Sequence, residues 1–232
     1  MEPILRVEDL HLSFHGVQAV AGVRFEILPG QLFGIIGPNG AGKTSVLNCI
    51  NGFYHPQRGR IIFEGRDITA LPPHRRAQRG IARTFQNIAL YPGMTVLDNI
   101  MTGRVIRTRA GVAACGLYLG PAQREHIAQR RIVEEIIDFL EIEAVRDHRV
   151  AELPYGLQKK VELGRALAMD PRLLILDEPM AGMSMDEKAD MARYLLELRE
   201  VRGLPLVLIE HDLGVVMDLC DRVLVMDYGR AV

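Results

Sequence analysis

The sequence predicts an α/β protein with a mostly parallel β-sheet. Three short apolar runs, Leu32–Ile36, Leu173–Leu176 and Leu206–Ile209, have the length of buried parallel strands, and segments with helical patterning lie between them. An apolar fraction of 48% and 22 glycines suit such a fold, and 232 residues suffice for one domain with a sub-lobe. No uninterrupted apolar run approaches the roughly 18 residues of a membrane span, so no transmembrane helix is expected.

Composition and charge limit the partners and the cellular compartment that the sequence predicts. The net charge of −1 gives no overall field that would attract nucleic acid. Cys49, Cys115 and Cys220 are far apart and odd in number, which favours free thiols in a reducing compartment over a disulfide or metal site. The first ten residues carry early acids and alternate apolar with polar residues, unlike a secretion signal.

Two antiparallel strands are predicted at the N-terminus. Ile4–Phe14 and Val17–Ile27 alternate apolar and polar residues around the turn His15-Gly16. Phe14 ends the first strand, where a flat aromatic face could stack on a purine ring. Taken alone, Phe14 fits a strand-end core residue better.

The run Leu32–Ile36 leads into a glycine-rich loop and then a helix-like segment, Ser45–Asn51. All eight positions of the Walker A pattern GxxxxGK[ST] are present in the required setting of strand, loop and helix. Such a loop surrounds phosphate groups with backbone N–H groups, its lysine adds positive charge, and its Ser/Thr hydroxyl binds Mg²⁺. The predicted phosphate-binding residues here are Gly37, Pro38, Asn39, Gly40, Ala41, Gly42, Lys43, Thr44 and Ser45. A glycine-rich turn without a ligand is the alternative.

Further short strands are predicted at Gly59–Gly65 and Gly80–Thr84, with a basic helix-like piece at His74–Arg79. The seven arginines from Arg58 to Arg83 could suggest nucleic acid, but their scatter over different elements favours a solvated face. Gln86 directly follows the second strand, and its amide could bond a metal ion or water.

The segment from Thr95 to about Asp170 is predicted to be a helical sub-lobe. Helices are expected at Asp98–Ile106, Pro121–Leu140 and Lys159–Met169, and the uncharged stretch Ala110–Pro121 is expected to be a loop or partner-facing segment. We therefore predict a single domain over residues 1–232. Residues 1–94 and 171–232 form its α/β core, and residues from about 95 to 170 form the inserted helical subdomain.

Two later apolar runs end in polar residues that suit a phosphate site. Leu173–Leu176 ends at Asp177-Glu178, the Walker B pattern, which places Asp177 within reach of Mg²⁺ and lets Glu178 hold or deprotonate an attacking water. Leu206–Ile209 delivers His211, either a structural histidine or a contact to the γ-phosphate. Between them Ser184 and Glu187 form a capping box at the start of a predicted helix, Asp186–Arg202.

With these residues in place, the chain resembles the ATP-binding cassette ATPases along nearly its whole length. It is most similar to the ATPase subunits of bacterial branched-chain amino acid importers. The phrases that carry the resemblance are IGPNGAGKTSVLNCINGFYHPQRGRI, GIARTFQN, LPYGLQKKVELGRAL, LLILDEP and LVLIEHDLGVVMDLCDRV.

The resemblance implies roles for single residues. Phe14 would stack on adenine, and Gln86 would lie beside Mg²⁺ and the transmembrane partner. Glu178 would be the general base, Ala181–Ser184 the loop that couples two sites, and His211 the γ-phosphate switch.

The resemblance also implies an assembly. Two cassettes, identical or different, would pack head to tail around two ATP molecules with Mg²⁺, and their closure would pull on two membrane permease subunits served by a solute-binding protein. The expected location is peripheral, on the cytoplasmic face of the bacterial inner membrane. The expected task is uptake of branched-chain amino acids or related small amides.

Three departures from that family pattern stand out. The usual signature LSGGQ appears as LPYGL, so that Pro154, Tyr155 and Gly156 would face the partner's nucleotide, and Pro154 replaces a serine that donates to the γ-phosphate. Ser184 stands where aspartate is common. The chain stops soon after Gly229-Arg230, where relatives usually continue into a final helix, so the sequence leaves open whether the C-terminus is truncated.

Two rival functions remain open at this point. The first is a soluble, non-transport cassette ATPase acting on nucleic acid or ribosomes, although such proteins usually carry two cassettes or a long coiled coil, and this chain shows no sustained heptads. The second is a cassette that binds ATP as a switch without hydrolysing it, which the presence of Glu178 and His211 disfavours.

Overall fold

The computed structural model describes residues 2–85, 88–108 and 120–232. The chain divides into two compact units. The core unit comprises Met1–Gln86, Arg172–Ala181 and Met185–Val232, and the helical unit comprises Asn87–Pro171 and Gly182–Ser184. The organisation of these units as one domain stays a prediction. None of the helices in the described ranges combines the length and the apolar character of a membrane span.

The core unit contains an antiparallel sheet near the N-terminus. Its strands are β1 (Leu5–Phe14), β2 (Val17–Ile27), β4 (Arg58–Phe63) and β5 (Arg66–Asp67), in the order β2-β1-β4-β5. Leu5 pairs with Ile27 on one side and Phe63 on the other, and all three side chains are buried. The alternating patterning of the first two strands is thus explained by one face of this sheet packing into the core.

The second sheet of the core unit is mostly parallel. It contains β3 (Leu32–Ile36), β6 (Ile81–Arg83), β7 (Leu173–Asp177), β8 (Leu206–Ile209), β9 (Arg222–Asp227) and the antiparallel edge strand β10 (Arg230–Ala231), in the order β10-β9-β3-β8-β7-β6. Ile209 pairs with Ile35 on one side and Asp177 on the other, so the carboxyl ends of β3, β8 and β7 lie side by side. Ligand sites of open parallel sheets form at this edge. The predicted fold class, a mostly parallel sheet with an N-terminal antiparallel sheet, is confirmed.

The helices of the core unit are α1 (Lys43–Asn51), α2 (Pro73–Gln78), α6 (Met185–Glu200) and α7 (Leu213–Leu219), numbered with the helices given below. Arg76 of α2 is fully buried and donates to the carbonyl oxygens of Ile50, Leu71 and Thr69, each at 2.8 Å, and also to that of Cys49. Its guanidinium therefore satisfies the last carbonyls of α1, where a cation also meets the negative end of the helix dipole. Burial lowers the pKa of Arg76 to about 10.

Burial of arginine corrects one prediction. The solvated-face interpretation of the Arg58–Arg83 segment is wrong for Arg76 and for the side chain of Arg83, which is 7% exposed. Both guanidinium groups donate hydrogen bonds inside the protein, so neither lies on a surface that nucleic acid could contact.

The helical unit contains α3 (Val96–Thr102), α4 (Pro121–Phe139) and α5 (Tyr155–Ala168), with 3₁₀ turns at Gly103–Arg107, Glu143–Val145 and Val150–Glu152. The predicted helix Asp98–Ile106 begins earlier and tightens at Gly103, where a Cβ would lie 2.3 Å from the Arg165 carbonyl oxygen. The predicted helix Lys159–Met169 in fact begins at Tyr155. The stretch Ala110–Pro121 falls largely on residues 109–119, outside the described residues.

Candidate nucleotide site

The loop between β3 and α1 is shaped by close packing against its neighbours. Gly37 has φ 149° and Gly42 has φ 96°, in the region that favours glycine. A Cβ on Gly37 would lie 2.1 Å from the Met226 carbonyl oxygen, and one on Gly42 would lie 2.4 Å from that of Ala19. Only glycine fits at either position, which explains why the loop keeps the tight turn of a phosphate cradle.

The start of α1 suits an anion. Gly42 is its N-cap residue, no side chain caps the helix, and its first turn contains no acidic residue. The first amides of an α-helix have no partner within the helix, and the helix dipole adds partial positive charge there. The amides of Lys43, Thr44 and Ser45 are therefore placed to receive phosphate oxygens.

Lys43 lies across this loop. It is buried, and its Nζ donates to the carbonyl oxygens of Gly37 at 2.6 Å and Pro38 at 3.0 Å. An ammonium group has three donors, so one remains for a phosphate. Burial lowers the pKa of Lys43, while the charges of Glu178 and Asp177 oppose that change.

Asp177, at the end of β7, has one oxygen engaged and one available. Its Oδ2 accepts from Arg83 Nη2 at 2.6 Å, and Arg83 Nη1 donates to Asn48 Oδ1 on α1 at 2.7 Å. No described residue donates to Asp177 Oδ1 or bonds the Thr44 hydroxyl. Hard oxygen donors of this kind fit Mg²⁺.

Glu178 and His211 meet at the ends of β7 and β8. Glu178 has φ 50°, and its N–H donates to the Ile209 carbonyl oxygen at 2.9 Å. Glu178 Oε1 lies 2.8 Å from His211 Nε2. The side chain of Glu178 is 15% exposed and that of His211 46% exposed, so solvent reaches the pair. A carboxylate only accepts, so His211 donates through Nε2–H in this contact.

Comparison with known proteins decides the family. A family model described as ABC transporter matches residues 20–181, which include the phosphate loop and both carboxylates of the β7 end. The chain belongs to the ABC transporter family. The predictions of a cassette fold, ATP binding and ATPase activity are thereby confirmed, whereas Mg²⁺ and the single-residue roles stay predictions.

Relatives within the ABC transporter family match nearly the whole chain. The high-affinity branched-chain amino acid transport ATP-binding protein BraF of Pseudomonas aeruginosa is 37% identical over 230 residues, which are 98% of this chain and 89% of BraF. LivG of Escherichia coli K12, which has the same description, is 35% identical over 231 residues, with the same shares. The crystal structure of the ADP conformation of an ATP-binding cassette from an ABC transporter has a TM-score of 0.86 and 34% identity, and the match covers all of this chain and 90% of that one.

Phe14 of this ABC transporter chain is 38% exposed, so its interpretation as a core residue is wrong. β1 carries the ring past the end of the buried region. The Phe14 ring contacts the Tyr54 ring edge-on, with centroids 5.0 Å apart and planes at 71°. An exposed ring held by a second aromatic residue is available for base stacking.

The signature lies in the helical unit, at the start of α5. Pro154 is the N-cap residue, with φ −54° and no side-chain cap, and Tyr155 and Gly156 form the first turn. The Tyr155 ring packs on Gly182, where a Cβ would lie 3.2 Å from its Cε1. The signature therefore offers helix amides, but Pro154 has neither a hydroxyl group nor an N–H.

Sequence reasoning missed two residues of this site, and the structure does not test a third, predicted one. Arg83 and Glu210 lie within GIARTFQN and LVLIEHDLGVVMDLCDRV but were assigned no role, and only the strand order brings Arg83 of β6 beside Asp177 of β7. Glu210 precedes His211, and its adjacency to a predicted site residue was the available signal. Gln86 lies outside the described residues.

Proposed function

We propose that this chain is the ATP-hydrolysing subunit of an importer for branched-chain, hydrophobic amino acids or related small amides. The observation that carries the hydrolytic part is the Glu178–His211 contact of 2.8 Å at the sheet edge that also bears the phosphate loop. The substrate class is supported by the descriptions of BraF and LivG.

Phosphate binding is assigned to the loop and α1. The loop amides and the dipole of α1 receive the phosphate oxygens, and the free donor of Lys43 reaches the β- and γ-phosphates. Thr44, Asp177 and the predicted ligand Gln86 would hold Mg²⁺, which when bound neutralises charge on the phosphates. Phe14, whose ring contacts that of Tyr54, provides the adenine platform.

Hydrolysis is assigned to the residues that follow β7 and β8. Glu178 accepts a hydrogen bond from the attacking water, orients it toward the γ-phosphate and takes its proton. His211 holds the Glu178 carboxylate through Nε2–H in the observed contact. When ATP is bound, it would turn that donor to the γ-phosphate. The chemical step needs mainly positioning and charge stabilisation, which rigid strand ends provide.

The proposed assembly follows the family. Two cassettes, as a homodimer or with a paralogous subunit, pack head to tail, so that residues Pro154, Tyr155 and Gly156 complete the partner's site. The loop Ala181–Ser184 couples the two sites. The pair drives two permease subunits, supplied by a solute-binding protein, from the cytoplasmic face of the bacterial inner membrane. No nucleic-acid partner is proposed, because the net charge is −1.

Uptake tests this function directly. Deleting the gene should reduce uptake of labelled leucine, isoleucine or valine, and the wild-type gene should restore it while a Lys43→Ala gene should not. Unchanged uptake across a full panel of such solutes, with paralogous cassettes also deleted, would contradict the substrate class. Co-purification of the chain with ribosomes or DNA, and not with permeases, would favour the non-transport rival.

A further inference from the structure

Two hydrogen bonds join the chain segments that follow β7 and β8. The Glu178 N–H donates to the Ile209 carbonyl oxygen at 2.9 Å. The Met180 N–H donates to Glu210 Oε1, also at 2.9 Å. The first bond joins backbone to backbone and forms with any side chain, whereas the second needs an acceptor at the end of a side chain as long as that of Glu210.

Glu210 is buried among backbone amides. It is 5% exposed, and besides Met180 it has a backbone hydrogen bond with His211. Burial raises the pKa of Glu210, the nearby charge of Glu178 raises it further, and the two backbone bonds and Lys188 act in the opposite direction. Lys188 itself bonds Asp212 at 3.2 Å, so backbone N–H groups are the neighbours that hold the Glu210 carboxyl.

The geometry points to Glu210 as a positioning residue for ATP hydrolysis. Its carboxyl oxygen fixes the turn Glu178–Ala181 against the end of β8 and thereby keeps the Glu178 carboxylate in contact with His211. This inference rests on the proposed role of Glu178 as the base. Glu210 itself does not touch the reacting atoms.

The backbone of Glu178 explains why this hydrogen bond from Met180 to Glu210, here called the Glu210 brace, has an effect. A left-handed conformation at a residue other than glycine is strained and persists where the surroundings impose it. The turn closes with the Ala181 N–H donating to the Glu178 carbonyl oxygen at 3.3 Å, a long bond that constrains the turn weakly. Loss of the Met180 bond would let the turn relax, and small displacements of a catalytic group cost large factors in rate.

Nucleotide binding should be insensitive to this brace. Lys43 is held by Gly37 and Pro38. Neither residue belongs to the segments after β7 and β8. A defect at Glu210 should therefore appear in kcat, with little change in KM for ATP.

Two variants separate the reach of the side chain from its charge. Glu210→Gln keeps an acceptor oxygen at the same distance and removes the charge. Glu210→Asp keeps the charge and withdraws the oxygen by about 1.5 Å, one carbon–carbon bond. In the purified full chain we expect Glu210→Gln to hydrolyse ATP within about twofold of wild type, and Glu210→Asp to lose about tenfold in kcat with KM changed less than about twofold, since the loss of one hydrogen bond is worth up to such a factor.

The Glu178→Gln background tests whether Glu210 acts through Glu178. Residues that act as one unit are not additive, so Glu210→Asp should cause no further loss in the slow residual hydrolysis of that background. Thermal unfolding of each variant shows whether it is folded, and fluorescent ATP binding shows whether the phosphate loop is intact. If Glu210→Asp does not fold, the ratio between Glu210→Gln and wild type still decides, because a loss above about tenfold in Glu210→Gln would show that charge, not reach, matters.

Each remaining outcome counts for or against the inference. Wild-type kcat in a folded Glu210→Asp chain, or an equal loss in both variants, would overturn it. Equal hydrolysis by wild type and Glu178→Gln would instead overturn the proposed base and thus the proposed function. An added loss for Glu210→Asp on top of Glu178→Gln would show that Glu210 acts by another route.

Discussion

The helices α1 and α5 both begin at motifs predicted to meet ATP, yet their first turns differ. The N-cap of α1 is Gly42 in a left-handed conformation, whereas that of α5 is Pro154 in an extended one, and neither helix has a side-chain cap. Both starts offer backbone amides, but only α1 adds a charged donor, Lys43, that lies across its loop. The comparison teaches that the phosphate loop has a charged side-chain donor of its own, whereas position 154 of the signature contributes no side-chain donor to the proposed composite site.

The largest effect is expected at the phosphate loop and the end of β7. Lys43→Ala should weaken nucleotide binding and abolish turnover, because a buried positive charge at the phosphates is lost. Glu178→Gln should keep nucleotide binding and lose the hydrolytic step, because the amide cannot take a proton. Fluorescent ATP binding and steady-state ATPase separate the two variants, and wild-type hydrolysis by Glu178→Gln would refute the base.

A smaller effect is expected at the signature. A hydrogen bond to a charged phosphate is worth about 1.5–3 kcal/mol, so restoring the donor by Pro154→Ser should raise ATPase activity roughly 10- to 100-fold. The isolated wild-type chain should accordingly be a weak ATPase with little ATP-driven dimer, and a paralogous subunit with its permeases should raise turnover above the sum of the parts.

Pro72→Ser provides the matched control for the signature variant. Pro72 is also a proline N-cap without a side-chain cap, at the start of α2 and outside the signature. Its replacement should leave ATPase activity unchanged. Full activity of the isolated chain that Pro154→Ser does not alter would show that the signature position has no such cost.

The smallest effect is expected in the pH dependence of folding stability, through the buried Glu210 at the end of β8. Its pKa is raised by burial above the ordinary 4.5, so the stability it contributes is present below pH 4.5 and is lost as the pH rises through the raised value. Glu210→Gln does not titrate, and its free energy of unfolding relative to wild type should therefore increase from pH 4.5 toward neutral. Urea unfolding at a series of pH values measures this, and a constant difference would contradict it.

Local patterns in the sequence predicted most of the core unit. β2 and β8 begin and end where their apolar patterning does, because alternation and continuous apolar runs report burial directly. The start of α5 was missed because proline followed by a tyrosine and a glycine suggests a loop, although proline is also tolerated at the beginning of a helix. Which residues meet across strands was not predictable, so the Arg83–Asp177 pair and the Glu210 brace needed the strand order.

The buried Arg76 anchors the C-terminal end of α1. Its guanidinium grips the carbonyl groups of Cys49 and Ile50 at the far end of the helix and those of Thr69 and Leu71 outside it. Arg76 therefore ties the last turn of α1 to the segment Thr69–Leu71, and fraying of that turn would have to break its bonds to Cys49 and Ile50.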